Sequence, residues 1–192
     1  MTRHFGRINL GTAVLLVGLA CVSQPSEEPA GDSSPAPPLP PTAPALAPAP
    51  WSASRLPRDS VPAVYLTQWR KAENRATCVV LAPASLGDGA GATPRAATFS
   101  GGWAVAYDRP GARSAFGIAG TGSSATDDAY DAWPHTIRWA DSSSAGYGPE
   151  GGSGPNQLAY LRVTGQECLY NVWSRLGVPH LEHLLSQLRF VK

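Results

Sequence analysis

The chain has 192 residues, with 15 Lys and Arg against 14 Asp and Glu and a formal net charge of +1 at pH 7. That balance offers no basic surplus to nucleic acid and no cationic face to an anionic membrane. Many of its 19 prolines crowd into one early stretch, so part of the length builds no core. In chain order, Arg3, His4 and Arg7 make a positive start, and the apolar run that follows, residues 8–20, is 13 residues long. A bilayer span needs roughly 20. Gly18 and Ala20 put small residues at −3 and −1 of a cut before Cys21, so residues 1–20 read as a bacterial secretory signal peptide.

Leu19-Ala20-Cys21 at the end of that run resembles the lipobox of bacterial lipoproteins. The resemblance implies that Cys21 becomes the first mature residue, carries lipid and holds the protein on a membrane. Gly18 stands where the motif usually has an aliphatic residue, and ordinary signal cleavage at the same bond is the alternative. Val22 and Ser23 lack the Asp familiar in inner-membrane retention, so the resemblance implies the outer membrane, facing the periplasm or the exterior. Residues 21–51, with Pro35, Pro37, Pro38, Pro40, Pro41, Pro44, Pro48 and Pro50, read as a disordered Pro/Ala tether. At about 3.1 Å per residue in polyproline II such a segment reaches roughly 90 Å.

One domain remains, residues 52–192, close to the modal domain size. Residues 61–74 predict a short helix from Pro62, with Tyr65, Leu66 and Trp69 inward. Residues 77–82 are a continuous apolar run and predict a buried strand. After a glycine-rich loop at 87–94, residues 95–99 and 103–107 flank Ser-Gly-Gly and predict a hairpin. Further strands are predicted at 115–119 and 136–140, a helical turn at 126–133, and a long Gly/Ser-rich loop at 141–156. Residues 158–163 and 167–173, joined by Thr164-Gly165-Gln166, predict a second hairpin. In the final stretch Leu181, Leu184, Leu185 and Leu188 recur at i, i+3, i+4 and i+7, one face of a helix that begins near Pro179. The turns are too short for crossover helices. The expected class is α+β: an antiparallel, meander-like sheet of five to seven short strands with a C-terminal amphipathic helix on one face.

Cys78 and Cys168 remain in an oxidising compartment, which favours a disulfide over two buried thiols. No G-x-S-x-G, P-loop or S-x-x-K motif is present, and the glycines of 87–91 lack phosphate-loop spacing. His180 and His183 lie about 60° apart on their helix and could share a metal, but a zinc site needs further ligands. They read as a solvated helix face, and neither a metal nor a cofactor is expected. Asp127, Asp128, Asp131 and Asp141, with His135, cluster around Trp133 and Trp139. Paired carboxylates of this kind serve glycoside hydrolysis when set about 5–9 Å apart, although Asp is also common in turns. Trp69, Trp103, Trp139 and Trp173 sit in or beside predicted elements and read as core. Trp133, His135, Asp141 and Tyr147 are the candidate ligand residues, with Tyr147 on the long loop. The expectation is a non-catalytic binding domain, lipid-anchored through Cys21, whose partner is an envelope protein or a glycan. An envelope hydrolase using Asp and His residues of 127–141 is the alternative.

Overall fold

A computed structural model describes residues 45–124 and 133–192. Helix α1 (Ala63–Lys71) is followed by strands β1 (Leu81–Pro83), β2 (Thr93–Ala97), β3 (Trp103–Arg109), β4 (Ala112–Ser124), β5 (His135–Arg138), β6 (Ser144–Pro149), β7 (Gln157–Arg162) and β8 (Cys168–Ser174). Helix α2 (Val178–Gln187) and strand β9 (Leu188–Phe190) close the chain. The main sheet is antiparallel with strand order β2-β3-β4-β8-β7-β6-β5. It is two meanders joined where β4 pairs with β8. The α+β class holds, with helix α2 packed on the sheet as its leucine stripe predicts.

The register sorts the sheet into two faces, because side chains alternate with period two. Trp103, Val105 and Tyr107 of β3 stand beside Phe116 and Ile118 of β4, then Tyr170 and Val172 of β8, Ala159 and Leu161 of β7, and Ala145 and Tyr147 of β6. All of these are buried. Over them lie α1, whose Tyr65 is fully buried and accepts a hydrogen bond from the Tyr107 hydroxyl (3.1 Å), and α2, through buried Leu181, Leu184 and Leu185. Among the described residues, the opposite face carries no helix.

Three expectations are corrected. Residues 77–80 are not strand: only Leu81–Pro83 pairs, and it does so with β9 rather than with the main sheet. The 77–80 backbone is tied instead to the β7–β8 turn. Glu167 N donates to Thr77 O (3.1 Å), Val79 N to Gln166 Oε1 (2.8 Å) and the Tyr170 hydroxyl to Val79 O (2.7 Å). The long loop expected at 141–156 contains β6, whose inward positions Ala145 and Tyr147 alternate with Gly146 and Gly148. Helix α2 ends at Gln187, because Leu188–Phe190 is taken by the pairing with β1. The helical turn expected at 126–133 lies, apart from Trp133, outside the described residues.

The Cys78–Cys168 disulfide is formed, with a sequence separation of 90, and it joins the coil before β1 to the first residue of β8. The core also takes in Ala49 and Trp51, the last residues read as tether. Trp51 meets Trp139 edge-on (5.0 Å between centroids), and its indole N–H donates to Asp141 Oδ2 (2.9 Å).

His180 is not on a solvated face but 3 % exposed, at the start of α2. Its Nε2 faces the Leu86 carbonyl (3.0 Å) and its Nδ1 the Ser174 hydroxyl (2.9 Å). A carbonyl only accepts, so the proton sits on Nε2, and Nδ1 accepts from Ser174. Burial first, then the neighbouring His183 and Arg109, hold its pKa below the ordinary value, against the pull of the Leu86 carbonyl and Asp88. The unfolded chain titrates near 6.5. The folded state therefore binds fewer protons, and the stability held above about pH 6.5 is lost as the pH falls towards the folded pKa. Urea midpoints of the protein should decline as the pH falls through about 6.5 towards the lower folded pKa, and the decline should be shallower in His180→Gln. An equal decline in both proteins would show that His180 does not set it.

Candidate functional site

The face of the sheet away from the helices is built from small residues. Ala104 and Ala106 of β3, Gly117 and Ala119 of β4, and Gly146 and Gly148 of β6 all fall on it by register. Rings lie across the glycines. A Cβ on Gly117 would stand 2.2 Å from Trp173 Cζ2, and one on Gly146 would stand 2.7 Å from Trp133 Cδ1. Glycine within a strand marks such close approach. Trp173 and Trp133 are each half-buried. The Phe99 ring runs nearly parallel to that of Trp173, 6.4 Å between centroids at 23°, and Trp133 meets Tyr160 edge-on at 5.3 Å.

Beside the Phe99, Trp173 and Tyr160 rings opens a cleft of about 420 Å³. Trp173, Phe99, Leu158 and Tyr160 give it apolar walls, and Asn171, Asn156, Glu150, Arg113 and Arg175 give it polar ones. Asn171 is 8 % exposed, and its Oδ1 is buried with no hydrogen-bond partner. Asn156 Oδ1 is likewise without one, while Asn156 Nδ2 donates to Glu150 Oε2 (3.3 Å). A buried amide oxygen left unpaired costs about 1–3 kcal/mol in desolvation. A ligand hydroxyl or N–H entering the cleft would recover that cost. A second cleft, about 550 Å³, lies at the β5 side and is lined by Arg138, Ser142, Ser144 and Arg162, with Trp139 at its edge. It holds no buried polar side-chain atom without a partner, so the unpaired amides single out the first.

The sequence candidates scatter. Tyr147 is not on a loop: it is a buried residue of β6, and its hydroxyl donates to Glu182 Oε1 of α2 (2.5 Å). Burial and that carboxylate push its pKa up to about 12. His135 is exposed, its ring stacked on that of Tyr147 at 5.1 Å. Asp141 shapes its own loop, accepting from Ser143 N (2.9 Å), Ser143 Oγ (3.0 Å) and the Trp51 indole. Burial alone would raise its pKa, but those hydrogen bonds together hold it below the usual carboxylate value. His135 and Asp141 thus share no partner, and Asp127, Asp128 and Asp131 lie outside the described residues. Of the four ligand candidates only Trp133 reaches the open face. Cys21 also lies outside the described residues. Among the described residues no three of His, Cys, Asp and Glu come close enough to hold a metal ion.

No known family model, curated protein or solved structure matches this chain. The chemistry of the cleft is therefore read from its residues alone. A flat indole edged by amides, a carboxylate and guanidiniums suits a ring with an apolar face and a polar rim. The Ser114 hydroxyl, which also lines the cleft, is bonded by the Arg95 guanidinium rather than by a base of the kind that activates a nucleophile. Sequence reading took Trp173 as core and gave Asn171 no role. The signal that could have found them is Gly117, a glycine inside an apolar strand.

Proposed function

We propose that the protein is a bacterial envelope lipoprotein that binds an envelope glycan in the open-face cleft, without turning it over. The observation that carries this reading is the unpaired Asn171 amide beside a Trp173 ring packed against Gly117. A sugar ring offers apolar C–H faces to an aromatic platform and hydroxyl donors to an amide oxygen. The leader, the lipobox-like Cys21 and the Pro/Ala segment support an envelope address and a tethered reach. A tether suits a protein that holds something fixed in the envelope better than one that meets soluble substrates.

Co-sedimentation tests it. The full chain, produced under oxidising conditions and kept in detergent, is spun with purified peptidoglycan. The protein should pellet with the polymer, and Trp173→Ala should remain largely in the supernatant while keeping its circular dichroism spectrum. Truncating an aromatic that anchors a ligand costs more than about 1 kcal/mol, so at least about a fivefold loss is expected. Equal pelleting of wild type and Trp173→Ala would remove the cleft from the reading. No pelleting at all would remove the wall glycan.

A further inference from the structure

Resting on that reading of the cleft, the structure assigns a charge to the sugar: we infer that the cleft selects an anionic sugar residue, its negative group held by Arg113 and Arg175. Both arginines come from the strand pair at the centre of the sheet. Arg113 lies near the start of β4 and Arg175 one residue past β8, and both line the cleft with Asn171 and Trp173. Their backbones are drawn together where Arg175 N donates to Ala115 O (2.7 Å). Both side chains are exposed and line the same cleft, and neither guanidinium makes a hydrogen bond or ion pair among the described residues.

The neighbouring Arg95 shows the contrast. Its guanidinium is neutralised by Asp108 (2.8 Å) and bonded to Ser114 Oγ. Among the described lining residues one carries a carboxylate, Glu150, and it is bonded by Asn156 Nδ2. Two guanidiniums against that carboxylate leave the cleft net positive, even with Asp108 within electrostatic reach of Arg113. Guanidinium is weakly hydrated, and its planar fork matches carboxylate and phosphate oxygens. The remaining polar groups ask for donors: Asn171 Oδ1 and Asn156 Oδ1 are unpaired acceptors, and Glu150 accepts as well. One molecule meets all of these demands. It has a ring face for Trp173, hydroxyls or an N–H for the amides and Glu150, and an anionic group for the arginines. Carboxylate and phosphate substituents share this chemistry, and an acidic sugar of either kind fits it.

The test titrates the full chain, by calorimetry, with a trigalacturonate, with its neutral methyl ester and with a sugar phosphate. Charge-assisted hydrogen bonds are worth about 1.5–3 kcal/mol, so the acid should bind about tenfold or more tighter than the ester. Arg113→Gln with Arg175→Gln should abolish that preference, so that acid and ester bind alike, and should leave the fold intact, since both side chains are exposed and carry no part of the core. Added salt should weaken the acid alone. Preference for the phosphate over the carboxylate would also support an anion held by the two arginines and would name its source. Equal binding of acid and ester, unaffected by the double variant, overturns the charge selection while leaving the glycan site standing. No binding of any of the three, together with no pelleting on peptidoglycan, overturns both.

Discussion

The double variant Cys78→Ser, Cys168→Ser is expected to lose about 4–5 kcal/mol of stability, the chain-entropy value for a closed loop of about 90 residues. For a domain of this size that is roughly 10–20 °C in thermal midpoint. The bond contributes more than loop closure. The segment it secures, 77–80, belongs to no sheet, and its hydrogen bonds run to the β7–β8 turn, to Tyr170, to the Trp69 indole (which donates to the Cys78 carbonyl), to Val191 (whose N–H donates to the Val80 carbonyl) and to Asn74. Without the staple, those bonds alone would order it, and β1 with its partner β9 would lose a covalent anchor. Differential scanning calorimetry of oxidised wild type and the double variant measures the difference. A change below about 1 kcal/mol would mean that the surrounding contacts already hold the segment, and that the bond adds little beyond them.

Trp51→Ala is expected to cost about 3–5 kcal/mol, the range for deleting a buried Trp side chain. Trp51 is 5 % exposed, packs edge-on against Trp139, and supplies one of the hydrogen bonds that keep Asp141 ionised. Trp51→Phe keeps a ring but leaves Asp141 one donor short, and it should fall between wild type and Trp51→Ala. Chemical denaturation monitored by circular dichroism gives the order of the three proteins. If Trp51→Ala unfolds at the same denaturant concentration as wild type, this indole adds nothing to the core. The practical corollary is that a fragment beginning at Ser52 lacks a core side chain, and binding work belongs with the longer chain.

The elements that the sequence disclosed are those whose burial is written in period. The four leucines of α2 repeat at helical spacing and end up buried, and residues 158–173 alternate about a glycine turn and form β7 and β8. Strand β6 was hidden because its outward positions are Gly146 and Gly148, which look like loop. They are glycine because Trp133 and Pro134 lie on them. His180 misled for a similar reason: a polar residue beside a leucine stripe reads as solvated until Ser174 and the Leu86 carbonyl are seen to satisfy it. The cleft was less legible still. Its residues run from Ala97 to Arg175, brought together only because β4 pairs with β8 across a long gap in sequence. No local pattern carries that pairing. The acidic cluster made the opposite impression: a local concentration whose described members point to different partners.

The position of the disulfide has a mechanical consequence. Were the chain held at its N-terminal end and a bound molecule held at Trp173, tension would follow the shortest covalent route between them. That route runs down the chain from residue 45 to Cys78, crosses the S–S bond to Cys168, and reaches Trp173 five residues later. Strands β1 to β7 lie off that line and would carry none of the covalent load. The sheet could then serve as a rigid mount for the grip, while the pull passed through α1, one sulfur bridge and the first part of β8.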